Sequence, residues 1–203
     1  MAEVDRINNA NKACLGAGVN TIISFTQGTA EAIFCNEWYE LITRSELSLY
    51  KWRFATKTID LTTSLLAGEP DTRFNTRYQI PNDVLSVDTV LVGETPIEYD
   101  RYQDQIHTND TGGDTVIIKY RYRADETYWN PYFQLLIIYR LATMLSFSIA
   151  RKDDVAASMK GLADEHWRRA KTEDAQAQTN QKVNLRKLVN ARGSSLDKFW
   201  RRR

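Results

Sequence analysis

Along residues 29–49 the apolar side chains Ala30, Ile33, Phe34, Trp38, Leu41 and Ile42 return every three to four positions, the period of one helix face. Thr29 stands before the run as an N-cap, and Glu31 and Glu37 fall early, where the helix dipole favours acids. Residues 3–16 predict a shorter helix with Val4, Ile7, Ala10, Cys14 and Leu15 turned inward, ended by Gly16 and Gly18. The stretch 131–150 is apolar all round and opens with Asn130 as N-cap and Pro131 at the first helical position, which predicts a central helix buried on several sides. A fourth helix over 153–178 puts Val155, Met159, Leu162, Ala163, His166, Trp167 and Ala170 on one face.

Between the second and third helices the period changes to two. Residues 84–92 are rich in β-branched side chains, and 115–123 alternate Val116, Ile118, Tyr120 and Tyr122 with Thr115, Lys119, Arg121 and Arg123. Turns at 93–96 and 109–114 and short strands at 98–102 and 105–108 complete an antiparallel unit over 78–123. The pattern predicts an α+β chain, mainly α. Its form is a bundle of about four helices with a small antiparallel β insert (body, residues 1–181) and an extended C-terminal arm (182–203).

Charge sharpens the division between body and arm. Residues 182–203 hold eight Lys or Arg against one acid, Asp197; of the chain's 27 basic and 26 acidic residues this leaves 19 and 25 for residues 1–181. An acidic body thus carries a basic arm, in a chain whose net charge is only +1. Val183, Leu185, Leu188, Val189, Leu196, Phe199 and Trp200 thread apolar surface through that arm. A purely solvating tail has few such groups, so the arm reads as a docking segment, with a solubilising tail and a nucleic-acid contact as the other readings.

With 42% hydrophobic and 26% charged residues the composition is that of a soluble globular domain. Residues 1–6 hold acids and no apolar run, so no secretory leader is expected. The apolar stretch 131–150 is long enough to cross a membrane. Arg140 at its middle would cost about 2.5–3.5 kcal/mol in a bilayer, which favours a buried soluble helix. Cys14 and Cys35 are too few and too far apart for a disulfide framework or a zinc knuckle, and read as reduced core residues.

Catalytic signatures are lacking: there is no Gly-x-Ser-x-Gly elbow, Walker loop, Rossmann glycine pattern or His-Glu-x-x-His. The paired acids Asp125-Glu126, Asp153-Asp154 and Asp164-Glu165 are neighbours in sequence, and adjacent acids on a helix point apart, so helix-start and surface roles suffice for them. His166 lies on the apolar face of the fourth helix, His107 beside a hairpin tip and facing solvent. The sequence reads as no enzyme, with no metal and no cofactor.

The order of residues nevertheless resembles a known family. It begins with Asn11-x-Ala13-Cys14-Leu15-Gly16 and Ile23-Ser24-Phe25, and continues with Glu31-Ala32-x-x-Cys35-x-x-x-Tyr39-x-x-x-x-Arg44-x-x-Leu47. It is most specific at Trp52-Arg53-Phe54-Ala55, at Tyr78-x-Ile80-Pro81-x-Asp83, and at Trp129-x-Pro131-x-Phe133 leading into Leu141-Ala142. In this order and spacing the chain resembles the podovirus head-to-tail adaptor family, the tail tubular protein A-like, portal-adjacent ring proteins. It departs from that pattern after Phe25, where Thr26-Gln27-Gly28 stands in place of the family's acids.

The resemblance implies a virion component of the head–tail neck, made in the host cytoplasm. It would form a ring, commonly of twelve copies, below the portal protein. Such a ring continues the DNA channel, lets viral DNA pass without sequence specificity, offers its far side to a tail nozzle or tube protein, and needs no membrane. The C-terminal segment would reach the portal. Leu185, Leu188, Phe199 and Trp200 are then the expected anchors, with Arg186, Lys187, Arg192, Lys198, Arg201, Arg202 and Arg203 setting register and approach. The competing expectations are a nucleic-acid-binding protein that uses the basic arm and, behind it, a peptidoglycan hydrolase built on Asp164 and Glu165.

Overall fold

The computed structural model describes residues 2–61, 73–93, 95–109 and 115–177. Among them are four α-helices: α1 (Ala2–Ala17), α2 (Ala30–Leu49), α3 (Pro131–Leu145) and α4 (Asp153–Gln176). Seven strands lie between α2 and α3: β1 (Thr56–Leu61), β2 (Thr76–Gln79), β3 (Val84–Val92), β4 (Thr95–Pro96), β5 (Tyr99–Tyr102), β6 (Gln105–Thr108) and β7 (Val116–Tyr122).

The helix starts follow the capping chemistry of the sequence. Thr29 Oγ1 accepts the Ala32 N–H at 3.4 Å, and Asn130 Oδ1 accepts the Phe133 N–H at 2.7 Å, with Pro131 in the first turn. α3 is the spine. Phe133, Leu136, Ile137, Leu141, Ala142 and Leu145 are fully buried, and the helix packs on α1, α2 and α4. Its end widens into a π-helical turn, Ser146–Ala150, closed by Arg151 in the left-handed conformation (φ 52°). The stretch Pro131–Ala150 has the length and hydropathy of a membrane span, and here its α3 part supplies core residues of the helical layer.

The β component departs from expectation. Instead of a small insert on a helical bundle, the strands form two antiparallel sheets, ordered β1-β7-β3-β4 and β2-β6-β5. They enclose a second core of Tyr78, Ile80, Val84, Val90, Ile106, Val116, Ile118 and Tyr120, separate from the helical core. The chain is therefore an α+β protein with a helical part and a β part that has its own core, and the bundle-with-insert description is wrong. The difference starts at β1, which pairs with β7 in a register from Thr56↔Arg121 to Leu61↔Val116. As an edge strand it buries only Leu61, so its sequence Thr-Lys-Thr-Ile-Asp-Leu carries no alternation to read. The 93–96 turn likewise holds the two-residue strand β4.

Smaller corrections concern boundaries and faces. α3 is regular only to Leu145 and α4 ends at Gln176; residues 110–114 of the expected hairpin tip lie outside the described residues. His107 is buried at 7% exposure, its ring 4.7 Å from that of Tyr102, not solvent-facing. Val4, Leu15, Ile33 and Leu41, expected to face inward, are all more than half exposed.

Two tryptophans join the two parts. Trp52, fully buried where α2 leads towards β1, donates its indole N–H to the Glu46 carbonyl at 2.9 Å. Trp129, where β7 leads back to α3, donates to the Ala124 carbonyl at 3.0 Å. Both rings meet Phe133 edge-on, at 4.9 and 5.0 Å between centroids. Replacing Trp52 by Ala opens a large cavity and frees a helix-end carbonyl, and should cost about 3–5 kcal/mol in urea unfolding. A loss under about 1 kcal/mol would mean that the junction is not a stability centre.

Candidate functional site

The motif positions named from the sequence divide into two sets. Trp52, Phe54, Ala55, Trp129 and Pro131 come together at the junction, where Phe54 packs 5.9 Å from Trp52 and 5.1 Å from Phe133. Tyr39 is fully buried between α1 and α2, its hydroxyl accepting from Asn9 Nδ2 at 3.2 Å, and burial pushes that hydroxyl's pKa up. Gly16 is close-packed, since a β-carbon there would touch Ala142 and Met159. Tyr78 is buried in the sheet core; Pro81 lies just before β3 and Asp83 beside it, its carboxylate 3.4 Å from Lys57 Nζ. Leu15 and Arg44, in contrast, are exposed on α1 and α2.

Arg123 is the most constrained charge. Its guanidinium bonds Glu40 at 3.1 Å and Glu126 at 2.6 Å, donates to the Ala124 carbonyl, and sits 5.4 Å from the Trp129 ring centre. Burial alone would lower its pKa, but the two carboxylates more than offset that and raise it. Arg121 pairs with Asp88 at 3.0 Å and donates to the Ser48 carbonyl. These arginines, which alternate on β7 as an exposed sheet face would, instead tie the sheets to α2. From the sequence this strand face, with Lys119, could equally meet a carboxylate-rich neighbour or lie exposed; which acids it meets was not legible because they are distant in the chain.

A second charged set lies within the helical layer. Arg140 of α3 bridges Glu46 of α2 and Asp164 of α4, each at 3.0 Å. Burial raises the Glu46 pKa, and Arg140 opposes the rise. Asp174, also raised by burial, accepts the Arg53 backbone N–H at 3.0 Å, fastening the end of α4 to the junction. Asp164 and Glu165 engage separate arginines, Arg140 and Arg169, so they do not form the facing pair that glycoside hydrolysis needs. Cys14 and Cys35 are free, buried thiols 3.9 Å apart. Among the described residues no three His, Cys, Asp or Glu side chains are grouped to hold a metal.

What the fold leaves outward is apolar helix surface. Val4 and Leu15 on α1, Ile33 and Leu41 on α2, Ile23 in the α1–α2 link and Phe147 in the π-turn are between 57% and 85% exposed. Single exposed apolar residues need no explanation, but this many on one helical layer exceed what its own core uses. The arm residues Leu185, Arg186, Lys187, Leu188, Arg192, Lys198, Phe199, Trp200, Arg201, Arg202 and Arg203 lie outside the described residues.

The fold and its surfaces define a two-part α+β protein whose buried polar clusters tie its elements together and whose helices carry several exposed apolar side chains. Compared with known proteins, the chain matches no family model and no curated protein.

Replacing Arg140 by Ala leaves Glu46 buried without its partner and should cost about 3 kcal/mol. Glu46 also sets a pH dependence. Its folded pKa is above the unfolded value, so the folded state holds a proton that the unfolded chain has released. Stability therefore falls as pH rises from the ordinary carboxylate range through the raised value. Glu46→Gln should remove that component from unfolding free energies measured between about pH 4 and about pH 7. An unchanged slope would show that Glu46 titrates as in the unfolded chain.

Proposed function

We propose that this chain is a structural head-to-tail adaptor of a tailed phage. Copies would stand side by side in a ring below the portal, extending the DNA channel and presenting a surface for the tail. The observation that carries the reading is the excess of exposed apolar side chains on α1, α2 and the end of α3, which a ring of side-by-side helical layers would cover. The ordered motif residues support the same reading. The arm supplies the second contact, with Leu185, Leu188, Phe199 and Trp200 as anchors into the portal and the arginines as guides.

A nucleic-acid-binding protein acting through the basic arm is the alternative, favoured by eight basic residues in 22. The two separate on salt and on partner: arm-driven DNA binding weakens steeply with salt, whereas apolar docking does not.

Mixing the purified chain with portal particles and imaging the product by electron microscopy should reveal an added ring. A chain ending at residue 181 should stay folded and lose docking, and undiminished docking by that chain would remove the arm from the proposal. Leu41→Asp, at an exposed position, should leave the unfolding midpoint nearly unchanged and cut ring yield at least several-fold. Normal ring yield from Leu41→Asp and a matching Phe147→Asp chain would exclude this face as the contact between copies.

A further inference from the structure

A groove of about 640 Å³ opens where the four-stranded sheet meets the α2–β1 link and the end of α4; Tyr50, Lys51, Arg53, Thr58, Lys119 and Asp174 line it. Its floor is the face of the sheet turned away from the second core. There the register sets Thr58 of β1 beside Lys119 of β7, and Lys119 beside Thr89 of β3. A hydroxyl–ammonium–hydroxyl row thus crosses three strands.

The surrounding charges are unequal. Lys51 reaches Asp88 at 3.2 Å, and Arg53 Nε lies 3.9 Å from Asp174, which is itself buried. Lys171 stands at the edge, 5.1 Å from the Tyr50 ring centre. Lys119 pairs with no carboxylate among the described residues. A cationic groove on an otherwise acidic body is an anion site, and a row of ammonium and hydroxyl donors spaced across three neighbouring strands suits successive oxyanions better than one small ligand.

We propose that this groove binds the phosphate backbone of duplex nucleic acid, without sequence preference. Two features select that ligand. Among the described residues no Asn or Gln lines the groove to read adenine edges, and its guanidinium is already directed at Asp174. The Tyr50 ring is already packed against Trp52 at 4.8 Å between centroids and has Lys171 Nζ 5.1 Å from its centre, so the one aromatic side chain of the described lining is engaged within the chain rather than set out as a platform for the base stacking that single strands use. The inference rests on the groove's own chemistry and does not require the chain to form a ring.

The test uses the full chain, so the arm's contribution is the same in every arm of the experiment. Binding of a fluorescently labelled duplex of about 20 base pairs is measured by anisotropy across a salt series, for wild type, Lys119→Gln, Lys119→Arg and Thr58→Ala. Lys119→Gln should weaken binding several-fold and lower the salt slope by about one, Lys119→Arg should restore both, and Thr58→Ala should weaken binding with the slope unchanged. Unfolding midpoints matching wild type would tie these losses to the groove.

Equal affinity and slope in Lys119→Gln and wild type would overturn the proposal, and so would a wild-type chain that does not bind the duplex. A rise in the unfolding midpoint of wild type, but not of Lys119→Gln, in millimolar inorganic phosphate, together with no duplex binding, would assign the groove to the free anion and overturn the proposal. If Lys119→Gln binds DNA normally but no longer joins portal or its own copies, the groove receives an acidic protein surface and the proposal also fails. Ring formation by Lys119→Gln with weakened DNA binding supports the groove and leaves the adaptor reading intact.

Discussion

The seat of Trp52 is the constraint on which the rest of the molecule depends. The chain must leave a helix and enter a sheet within the residues 50–55, at a place where helix-end carbonyls have lost their intrahelical partners. The indole N–H answers one of these, the Glu46 carbonyl, while the ring fills the space between Tyr50, Phe54 and Phe133. The Trp52 carbonyl then accepts from Thr56 Oγ1 at 2.6 Å, which sets the first residue of β1. Because Asp174 caps the next N–H, at Arg53, the end of α4 is held by the same six residues. The return crossing uses the same device, with Trp129 and the Ala124 carbonyl, and the two tryptophans converge on one phenylalanine of α3.

Charges reinforce what the aromatics position. Arg121 at the end of β7 and Arg123 just after it reach acids on β3, α2 and the turn after β7, so the sheets cannot slide along the helical layer without breaking these pairs. Tyr122, between them in sequence, touches both cores and donates to the Phe54 carbonyl at 3.3 Å. The two hydrophobic cores thus behave as one mechanical body although no buried cluster spans them.

Legibility followed burial. The strand β7 and the helix α2 were readable because one face of each is more deeply buried than the other, which writes a period into the sequence, whereas β3 was readable from its β-branched side chains. β1 was not readable, since an edge strand with only Leu61 buried has no reason to alternate. The size of the β part went unseen for that reason, as two sheets were mistaken for one small unit. The ion pairs were illegible on other grounds: Arg123–Glu40 and Arg140–Glu46 join residues far apart in the chain, and a lone sequence carries no record of such pairing. The exposed Ile33 and Leu41 were misplaced because periodicity marks an apolar stripe without saying whose core covers it.

That last failure bears on how the adaptor reading should be weighed. Of the motif residues that are most specific, Trp52, Ala55, Tyr78 and Trp129 are buried, Phe54 packs against the junction and Pro131 opens α3, so they build the junction and the sheet core. A likeness carried by such residues is an argument about how a helical layer is fastened to a pair of sheets. Partner choice must reside in what these residues leave free, namely the outward stripe of α1 and α2, the Lys119 groove and the basic arm. Because the junction is built from contacts within the chain, the exposed apolar positions of α1 and α2 and the Lys119 groove can vary without loosening it.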